Sequence, residues 1–252
     1  IITEKLKVKL RNPVLVEGFP GLGMVGRIAT RFLIKQLHAK KFAELYSPHF
    51  PYYVLVKKNG NVRLLRGDVY FWKNPLEEKD LIILTADSQA QTIEGQYDVA
   101  KCILDFAEKH GVKTIVTIGG YRNIVEETPK VLATATDDKL LHRALEAGAI
   151  PSPAGNPIVG LAGLLLGLAN LRKMEALCLL GETQGYLPDP KAAKSVLKVL
   201  LQMLKIEVSL DGLDKEMERI RKIMAKMKEI QEKEEKKALA IRREEERITY
   251  IS

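Results

Sequence analysis

The sequence contains few of the residues on which redox, metal and membrane functions depend. Only two of its 252 residues are cysteine, Cys102 and Cys178, and only four are histidine. The cysteines stand far apart in apolar stretches, which excludes a CxxC motif and predicts inert core residues. The histidines lie on separate predicted elements without metal-ligand spacing, and we expect His110 and His142 on helix surfaces. The longest apolar run, 158–171, is shorter than the roughly 20 residues of a membrane-spanning helix, and the sequence shows no signal-peptide pattern.

Aromatic residues are also few, at 6% of the chain with one tryptophan. The sequence has 40 lysines and arginines against 32 aspartates and glutamates, a formal net charge of +8. Nucleic acid is the usual partner of so basic a chain, but the basic residues form no stripe and do not alternate with aromatic residues. We therefore expect no nucleic-acid partner. High charge with few thiols is typical of an intracellular protein, and we expect a cytoplasmic protein without a metal, a cofactor or a membrane partner.

Patterns typical of strands and helices alternate up to about residue 208, which predicts an α/β core domain over 1–208. The run at 81–87 is continuously apolar, as in a central strand covered on both faces. Asn59-Gly60 is a strong hairpin signal, so the sheet is expected to be mixed. Strand patterns occupy 5–10, 14–18, 42–46, 52–56, 61–65, 68–72, 81–87, 114–120, 131–136 and 176–182. Helix patterns occupy 23–37, 93–110, 137–148, 158–171 and 191–204.

The character of the sequence changes near residue 209, and we expect 209–252 to form a long charged C-terminal helix ending in a tail. No glycine or proline occurs from Leu213 onward. Apolar residues recur there with the 4-3-4-3 spacing of a coiled-coil seam, which predicts an interface between helices. These residues are Leu213, Met217, Ile220, Met224 and Met227. The alternative is a helix that folds back across the sheet for its first few turns.

The last five residues form a hydrophobic segment with a tyrosine after a highly charged stretch. We predict that this segment inserts into a pocket of a partner protein, and the alternative is a fraying chain end. The five residues are Ile248, Thr249, Tyr250, Ile251 and Ser252.

A glycine string, Gly21-Leu22-Gly23-Met24-Val25-Gly26, follows the strand pattern at 14–18 and opens a helix pattern. It matches the G-x-G-x-x-G of dinucleotide-binding folds, in which pyrophosphate lies against a helix N-terminus. Glu44 stands at a spacing that suits a ribose ligand. However, the strand pattern ends at Gly18, so Phe19 and Pro20 come between the strand and the first motif glycine, and Pro20 removes an N–H that such a loop would use. We therefore favour a tight turn whose glycines permit close packing.

Polar residues follow three predicted central strands, where open α/β sheets bind their ligands. They are Asp87, Ser88 and Gln91; Tyr121 and Arg122; and Glu182, Thr183 and Gln184. They predict either a polar pocket or caps for the following helices, with Ser88 or Thr92 as a cap. No nucleophile and base can be paired among them. A nucleotide- or nucleoside-binding enzyme, with its pocket near Gly21, Asp87 and Gly119, is the alternative function.

Four segments together resemble the proteasome-assembling chaperone family, of the type of the second eukaryotic chaperone subunit and its archaeal homologues. They are GFPGLGMVG at 18–26, IGGY at 118–121, AGNPIVGLAGLLLG at 154–167 and GYLPDPKAAKSVLKVLLQML at 185–204. The resemblance covers roughly residues 5 to 210. It implies a three-layer α/β/α sandwich similar to nucleoside-phosphorylase-like folds, with no established catalytic centre and no cofactor at the glycine string.

The resemblance also implies partners. Archaeal members form homo-oligomers, so we expect self-association as a tetramer or pentamer, and the 20S proteasome or its α-subunits as the partner. Proteasome activators dock through a C-terminal hydrophobic-tyrosine-any tail. Thr249-Tyr250-Ile251 is similar, although Tyr250 stands third from the end instead of penultimate. The expected function is that of a non-enzymatic assembly chaperone, or an ATP-independent activator, that binds through its C-terminal helices.

Overall fold

The computed structural model describes residues 1–76, 78–124, 128–215 and 217–219. The chain divides into two units, Ile1–Leu210 and Asp211–Ser252. The first unit contains a large mixed sheet between two layers of helices. In the second unit, the described residues 211–215 and 217–219 are helical.

Eleven strands and five helices make up the described part of the first unit. The strands are β1 Ile2–Glu4, β2 Val14–Gly18, β3 Lys40–Leu45, β4 Val54–Val56, β5 Val62–Leu64, β6 Gly67–Trp72, β7 Leu81–Ala86, β8 Thr114–Arg122, β9 Val131–Ala135, β10 Ile150–Pro151 and β11 Glu175–Thr183. The helices are α1 Val25–Gln36, α2 Ile93–Lys109, α3 Asp138–Glu146, α4 Leu161–Leu171 and α5 Pro190–Leu204.

Nine of these strands form one sheet in the order β1-β3-β6-β7-β2-β8-β11-β9-β10. The four central strands β7, β2, β8 and β11 run parallel. On one side β6, β3 and β1 are added antiparallel, and on the other β9 pairs antiparallel with β11. β4 and β5 form a separate two-stranded hairpin. The mixed sheet predicted from the sequence is therefore confirmed.

The central strands are apolar on both faces because helices cover both. Every residue of β2 and β7 is buried. The helices α2 and α4 pack together over one face, and α1, α3 and α5 pack over the other. Alternate residues of each strand therefore enter different cores; Leu15 of β2, for example, joins Ile103 of α2 and Leu165 of α4. This is the expected three-layer α/β/α sandwich.

Side-chain caps fix where three helices begin. Thr92, Asp137 and Asp189 accept hydrogen bonds from the backbone N–H groups of the first turns of α2, α3 and α5, respectively. Each cap satisfies a donor that the helix itself leaves unpaired, and is worth about 1 kcal/mol. Two glycines in the left-handed region, Gly111 and Gly148, follow the ends of α2 and α3. The predicted cap at Asp137 is confirmed.

Two predictions near the edge of the sheet are wrong. The alternating stretch 5–10 is not a strand, since the edge strand is Ile2–Glu4 and the chain then turns away. The N–H groups of Lys5 and Leu6 both donate to the carbonyl of Phe42, which ends the regular ladder. His110 is not on a helix surface either: its ring lies 4.5 Å from that of Phe106, and its side chain is only 10% exposed.

The apolar helix α4 is buried along one side and carries no charged residue. Within the residues that the structure describes, no helix is long and apolar enough to cross a membrane. Cys178 is buried in β11 and Cys102 is half-buried in α2, and neither forms a disulfide. Burial raises the pKa of the Cys178 thiol to about 12, so this thiol stays protonated and unreactive.

Candidate functional site

The glycine string forms the connection between β2 and α1. A short 3₁₀ turn spans Leu22–Met24, and Gly23 within it has φ 58°, a conformation that favours glycine. The Gly23 N–H donates to Gly185 at 3.3 Å, and the Gly23 carbonyl accepts from Asp189 at 2.8 Å. The loop is thus fastened to the connection between β11 and α5.

Two of the three motif glycines are needed because other atoms occupy the space of a side chain. A Cβ at Gly23 would overlap the side chain of Thr183, and one at Gly26 would overlap the carbonyl oxygen of Ile118 in β8. At Gly21 the nearest atom would be 3.7 Å away, in the side chain of Gln89. The predicted role of the glycines in close packing is therefore confirmed for Gly23 and Gly26.

Glu44 does not lie where a ribose ligand would. In a dinucleotide-binding fold the acidic residue ends the strand beside the first strand. Here Glu44 is in β3, which β6 and β7 separate from β2. Its carboxylate lies 2.6 Å from Lys41 Nζ and 2.7 Å from Arg66 Nη1. Burial acts to raise the pKa of Glu44, but hydrogen bonds from Lys41 and Tyr46 and the charge of Arg66 outweigh it and hold the pKa at about 2.

Asp87, at the carboxyl end of β7, is held by three arginines. Arg63 of β5 binds both carboxylate oxygens, one of them at 3.0 Å, and the Arg66 N–H donates to Oδ2 at 3.1 Å. Arg27 of α1 approaches to 3.7 Å. Burial acts to raise the pKa of Asp87, but these hydrogen bonds lower it below its usual value. The carboxylate therefore fastens β5 to the body of the protein, which argues against a ligand contact there.

Gln89 connects three elements at this edge, and sequence reasoning missed it. Its Nε2 donates to the carbonyl of Pro20 at 2.6 Å, and its Oε1 accepts from the Leu161 N–H at the start of α4 at 3.2 Å. Gln96 of α2 donates to the same Oε1 at 3.3 Å. The amide thus joins the glycine loop to two helix N-termini. Nothing in its sequence neighbourhood distinguishes it from Ser88 or Gln91.

The other polar residues after β7 have structural roles. The Ser88 hydroxyl donates to the carbonyl of the next residue at 3.1 Å, and the Gln91 N–H donates to the carbonyl of His49 at 3.0 Å. Thr92, and not Ser88, caps α2: its hydroxyl accepts from the Gly95 N–H at 3.0 Å. The predicted cap is therefore confirmed for Thr92, while Ser88 and Gln91 hold the turn that precedes α2.

Of the polar groups at the end of β11, Glu182 and Thr183 face their own protein. Both carboxylate oxygens of Glu182 accept hydrogen bonds at 2.9 Å, one from the Asn123 side chain and one from the Lys130 N–H. Thr183 is buried beside the glycine loop, while Gln184 is exposed. Glu182 thus joins Asn123, which follows β8, to Lys130, which precedes β9.

Tyr121 and Arg122, at the end of β8, point to two different features. The Tyr121 hydroxyl accepts from the Asn156 amide at 3.2 Å and lines a cavity of about 220 Å³ with Leu180 and the loop 152–158. This volume is below the roughly 300–1,000 Å³ of typical ligand sites. The Arg122 guanidinium lies 5.0 Å from the ring of Tyr186, which is itself exposed. The cavity includes neither Gly21 nor Asp87, two of the three positions at which the sequence predicted an enzyme pocket.

The histidines do not form a metal site. His49 contacts Thr92 at 3.1 Å and Asp98 at 3.4 Å, and the exposed His142 contacts Glu146 one helical turn away. Across the described ranges, no three His, Cys, Asp or Glu side chains are grouped closely enough to hold a metal ion.

The sequence that forms these elements matches a known family. The sequence model of the PAC2 family matches residues 15–228, which include the glycine loop, all of the central strands and the start of the second unit. The chain belongs to the PAC2 family. The uncharacterized protein MJ1210 of Methanocaldococcus jannaschii is 35% identical over 100% of this chain and 97% of its own length.

Two solved PAC2-like structures from Pyrococcus furiosus are similar to this chain. The crystal structure of PbaB, an archaeal proteasome activator, is 39% identical, with a TM-score of 0.86 over 90% of this chain and 98% of that one. The structure of PbaA, an archaeal homolog of proteasome-assembly chaperone, is 28% identical, with a TM-score of 0.73 over 90% of this chain and 96% of that one. The similarity therefore extends over nearly the full length of both.

Only the start of the C-terminal segment of this PAC2 chain lies among the described residues. Leu213 is buried and Met217 is half-buried. The remaining seam positions Ile220, Met224 and Met227, and the tail residues Ile248, Thr249, Tyr250, Ile251 and Ser252, lie outside the described residues. Their roles stay predictions.

Proposed function

We propose that this PAC2 protein is a non-enzymatic partner of the 20S proteasome that assists its assembly, activates it without ATP, or does both. The observation that carries this proposal is the match to PbaB along almost all of that chain, at an identity well above the range in which only a fold is shared. The PbaA match supports the same class of partner.

The chemistry at the carboxyl edge of the sheet fits this proposal better than it fits an enzyme. Asp87, Gln89 and Glu182 are held by hydrogen bonds inside the protein, which fixes the loops around them. Catalytic groups are usually directed into a cleft with pKa values suited to proton transfer. A body whose polar groups hold its own loops in place suits a protein that presents a surface to another protein.

The proposed contact runs through the C-terminal segment. Residues 209–252 form helices that associate between copies through the seam at Leu213, Met217, Ile220, Met224 and Met227. The tail 248–252 then docks on the proteasome or its α-subunits. Each tail binds weakly because its tyrosine is third from the end. Several tails on one homo-oligomer, a tetramer or pentamer, raise the overall affinity by avidity.

Removing the tail tests this contact. We expect deletion of 246–252 to abolish co-sedimentation with an archaeal 20S proteasome and the increase in its peptide hydrolysis, because no docking group remains. The substitution Tyr250→Ala is expected to lower the apparent affinity at least tenfold. Tyr97→Ala is the matched control, since it removes a half-exposed tyrosine from α2 in the body and is expected to change nothing.

Unchanged binding and stimulation by the deletion variant would reject the role of the tail. If the deletion variant still binds the proteasome, and the full-length protein stimulates peptide hydrolysis by it, the protein contacts the proteasome through another surface. The proposed partner would then stand and only the proposed route of contact would fail.

A further inference from the structure

The β4–β5 hairpin lies outside the main sheet and has an apolar outward face. Val54 pairs with Leu64, and Val56 pairs with Val62, so these four side chains share one face of the hairpin. They are 46%, 61%, 72% and 59% exposed, in the order named. Aliphatic side chains on an exposed β-face usually pack against another layer.

The opposite face fixes the hairpin in this orientation. Leu55 and Arg63 form the middle pair of the ladder and point inward. Leu55 packs against the main hydrophobic core, and Arg63 binds Asp87 through both guanidinium nitrogens. The outward face therefore cannot turn into the core without breaking a two-bond ion pair, so the protein holds it towards solvent.

Tyr52 and Tyr53 precede β4 at the open end of the hairpin, and Tyr52 has the same parity along the chain as Val54 and Val56. Tyr52 is fully exposed and Tyr53 is 56% exposed. Tyr52 and the four aliphatic side chains together expose on the order of 600 Å², because a whole tyrosine presents about 200 Å² and valine or leucine somewhat less. This area is at the upper end of the roughly 300–600 Å² of the largest apolar patch on a typical monomer. It approaches the roughly 800 Å² that each partner contributes to a stable protein interface.

The lack of charge on the outward face permits a second copy of this chain as the occupant. With a formal net charge of +8, two copies repel each other wherever their charged surfaces meet. The outward face carries no charged side chain, so two copies can pack there without bringing like charges together. A strongly acidic partner would gain nothing from such an uncharged face.

The two ends of the hairpin are complementary to each other. Lys57 and Lys58 lie at the turn, which a hydrogen bond from the Gly60 N–H to the Lys57 carbonyl closes at 2.9 Å. Tyr52 and Tyr53 lie at the other end. When two hairpins pack face to face about a two-fold axis, with their strands antiparallel, the lysines of each copy lie near the tyrosine rings of the other. Ammonium groups bind aromatic faces favourably. The same lysine–tyrosine contact then forms at both ends of the pair, so the two copies present identical surfaces to each other, as a two-fold interface requires.

We propose that the outward face of the β4–β5 hairpin is a two-fold interface between copies of this chain. The assignment rests on the homo-oligomer of the proposed function, in its tetrameric form, and names a surface on the body that joins copies in addition to the seam of the C-terminal helices. The tail 248–252 then remains available for the proteasome.

A pair of matched substitutions tests the interface. Val56→Glu places a carboxylate in the middle of the outward face, and Val159→Glu makes the same change at a valine that is 87% exposed outside the hairpin. The masses of the full-length variants are measured by light scattering after gel filtration and by native mass spectrometry, from about 0.1 to 100 μM. We expect Val56→Glu to raise the dissociation constant between copies at least 100-fold and to shift the mass to a smaller species. Val159→Glu is expected to match the unchanged protein.

Three other results of these mass measurements would each contradict a different claim. If the unchanged protein is monomeric throughout this range, both the interface and the proposed homo-oligomer are wrong. If it is oligomeric and both Val56→Glu and the second variant Val62→Glu keep its mass, the hairpin assignment is wrong and the proposed function stands. If Val56→Glu keeps its mass but no longer sediments with the proteasome, the hairpin contacts the proteasome instead of a second copy. Because both positions are exposed, the thermal midpoints of all variants should agree within a few degrees.

Discussion

Replacing Glu17 with glutamine is expected to stabilise the protein, by an amount that grows with pH. Glu17 lies in β2, in the middle of the sheet, and is 1% exposed. Its Oε1 accepts a hydrogen bond from the Phe19 N–H at 2.9 Å, while its buried Oε2 has no partner among the described residues. Charging a carboxyl in such a place is costly because nothing replaces the lost water.

Burial raises the pKa of Glu17 to about 8, although the hydrogen bond from Phe19 acts in the opposite direction. In the unfolded chain the same group has a pKa near 4.5. Between these two values the folded state therefore holds a proton that the unfolded state has released. The contribution of Glu17 to stability is therefore largest below pH 4.5, falls as the pH rises towards 8 and is constant above that. Across this window the loss amounts to about 5 kcal/mol, at 1.36 kcal/mol for each pKa unit.

Glutamine removes this loss because it is neutral at every pH and keeps the acceptor for the Phe19 N–H. We expect Glu17→Gln and the unchanged protein to be equally stable near pH 4.5. Near pH 9 the variant should be more stable by about 5 kcal/mol. Urea unfolding at several pH values measures the difference, with Glu207→Gln as a control because that carboxyl is exposed. A difference that does not vary with pH would show that Glu17 is charged in the folded protein.

Replacing Gly26 with alanine is expected to be the most damaging single change in the glycine string. Gly26 lies in the first turn of α1, where an added Cβ would overlap the carbonyl oxygen of Ile118, which belongs to the rigid strand β8. Neither group can move without separating the helix from the sheet. We expect a loss of at least about 3 kcal/mol, which lowers the thermal midpoint by roughly 10 °C.

Gly21→Ala is the matched control within the same motif. Gly21 has φ −162°, which any residue adopts, and the nearest atom to an added Cβ would be 3.7 Å away. We expect its thermal midpoint to stay within about 2 °C of the unchanged protein. If the string binds a nucleotide instead, ATP or NAD will raise the midpoint of the unchanged protein and Gly21→Ala will weaken that shift. Such a result would contradict the packing role of the glycines.

The sequence predicts the core of the fold well because apolar periodicity and caps are local signals. The run at 81–86 is buried throughout, as a central strand requires, and Asp137 caps α3 as predicted. The edges are predicted less well, since pairing there depends on distant residues. The stretch 5–10 alternates like a strand, but the chain leaves the sheet after Glu4 because its next N–H groups converge on one carbonyl, that of Phe42.

The site was harder to predict because its residues act across the chain. Asp87 was identified from its place after a strand, but its partner Arg63 comes from a hairpin that precedes it by 24 positions. Glu17 was not singled out, although it is the one charged residue in the apolar strand 14–18. The outward face of the hairpin had a signal too: Val54, Leu55 and Val56 are all apolar, where a strand with one face in water would alternate with polar residues.

The most direct test of the account is the mass of the complex that the full-length protein forms with an archaeal 20S proteasome without ATP. The account predicts a species in native mass spectrometry that exceeds the proteasome by the mass of one or two whole homo-oligomers. Peptide hydrolysis by the proteasome, or its assembly from isolated α-subunits, should increase in the same mixture. A proteasome peak of unchanged mass, with no complex on the isolated α-subunits either, would contradict the central claim that this protein acts on the proteasome.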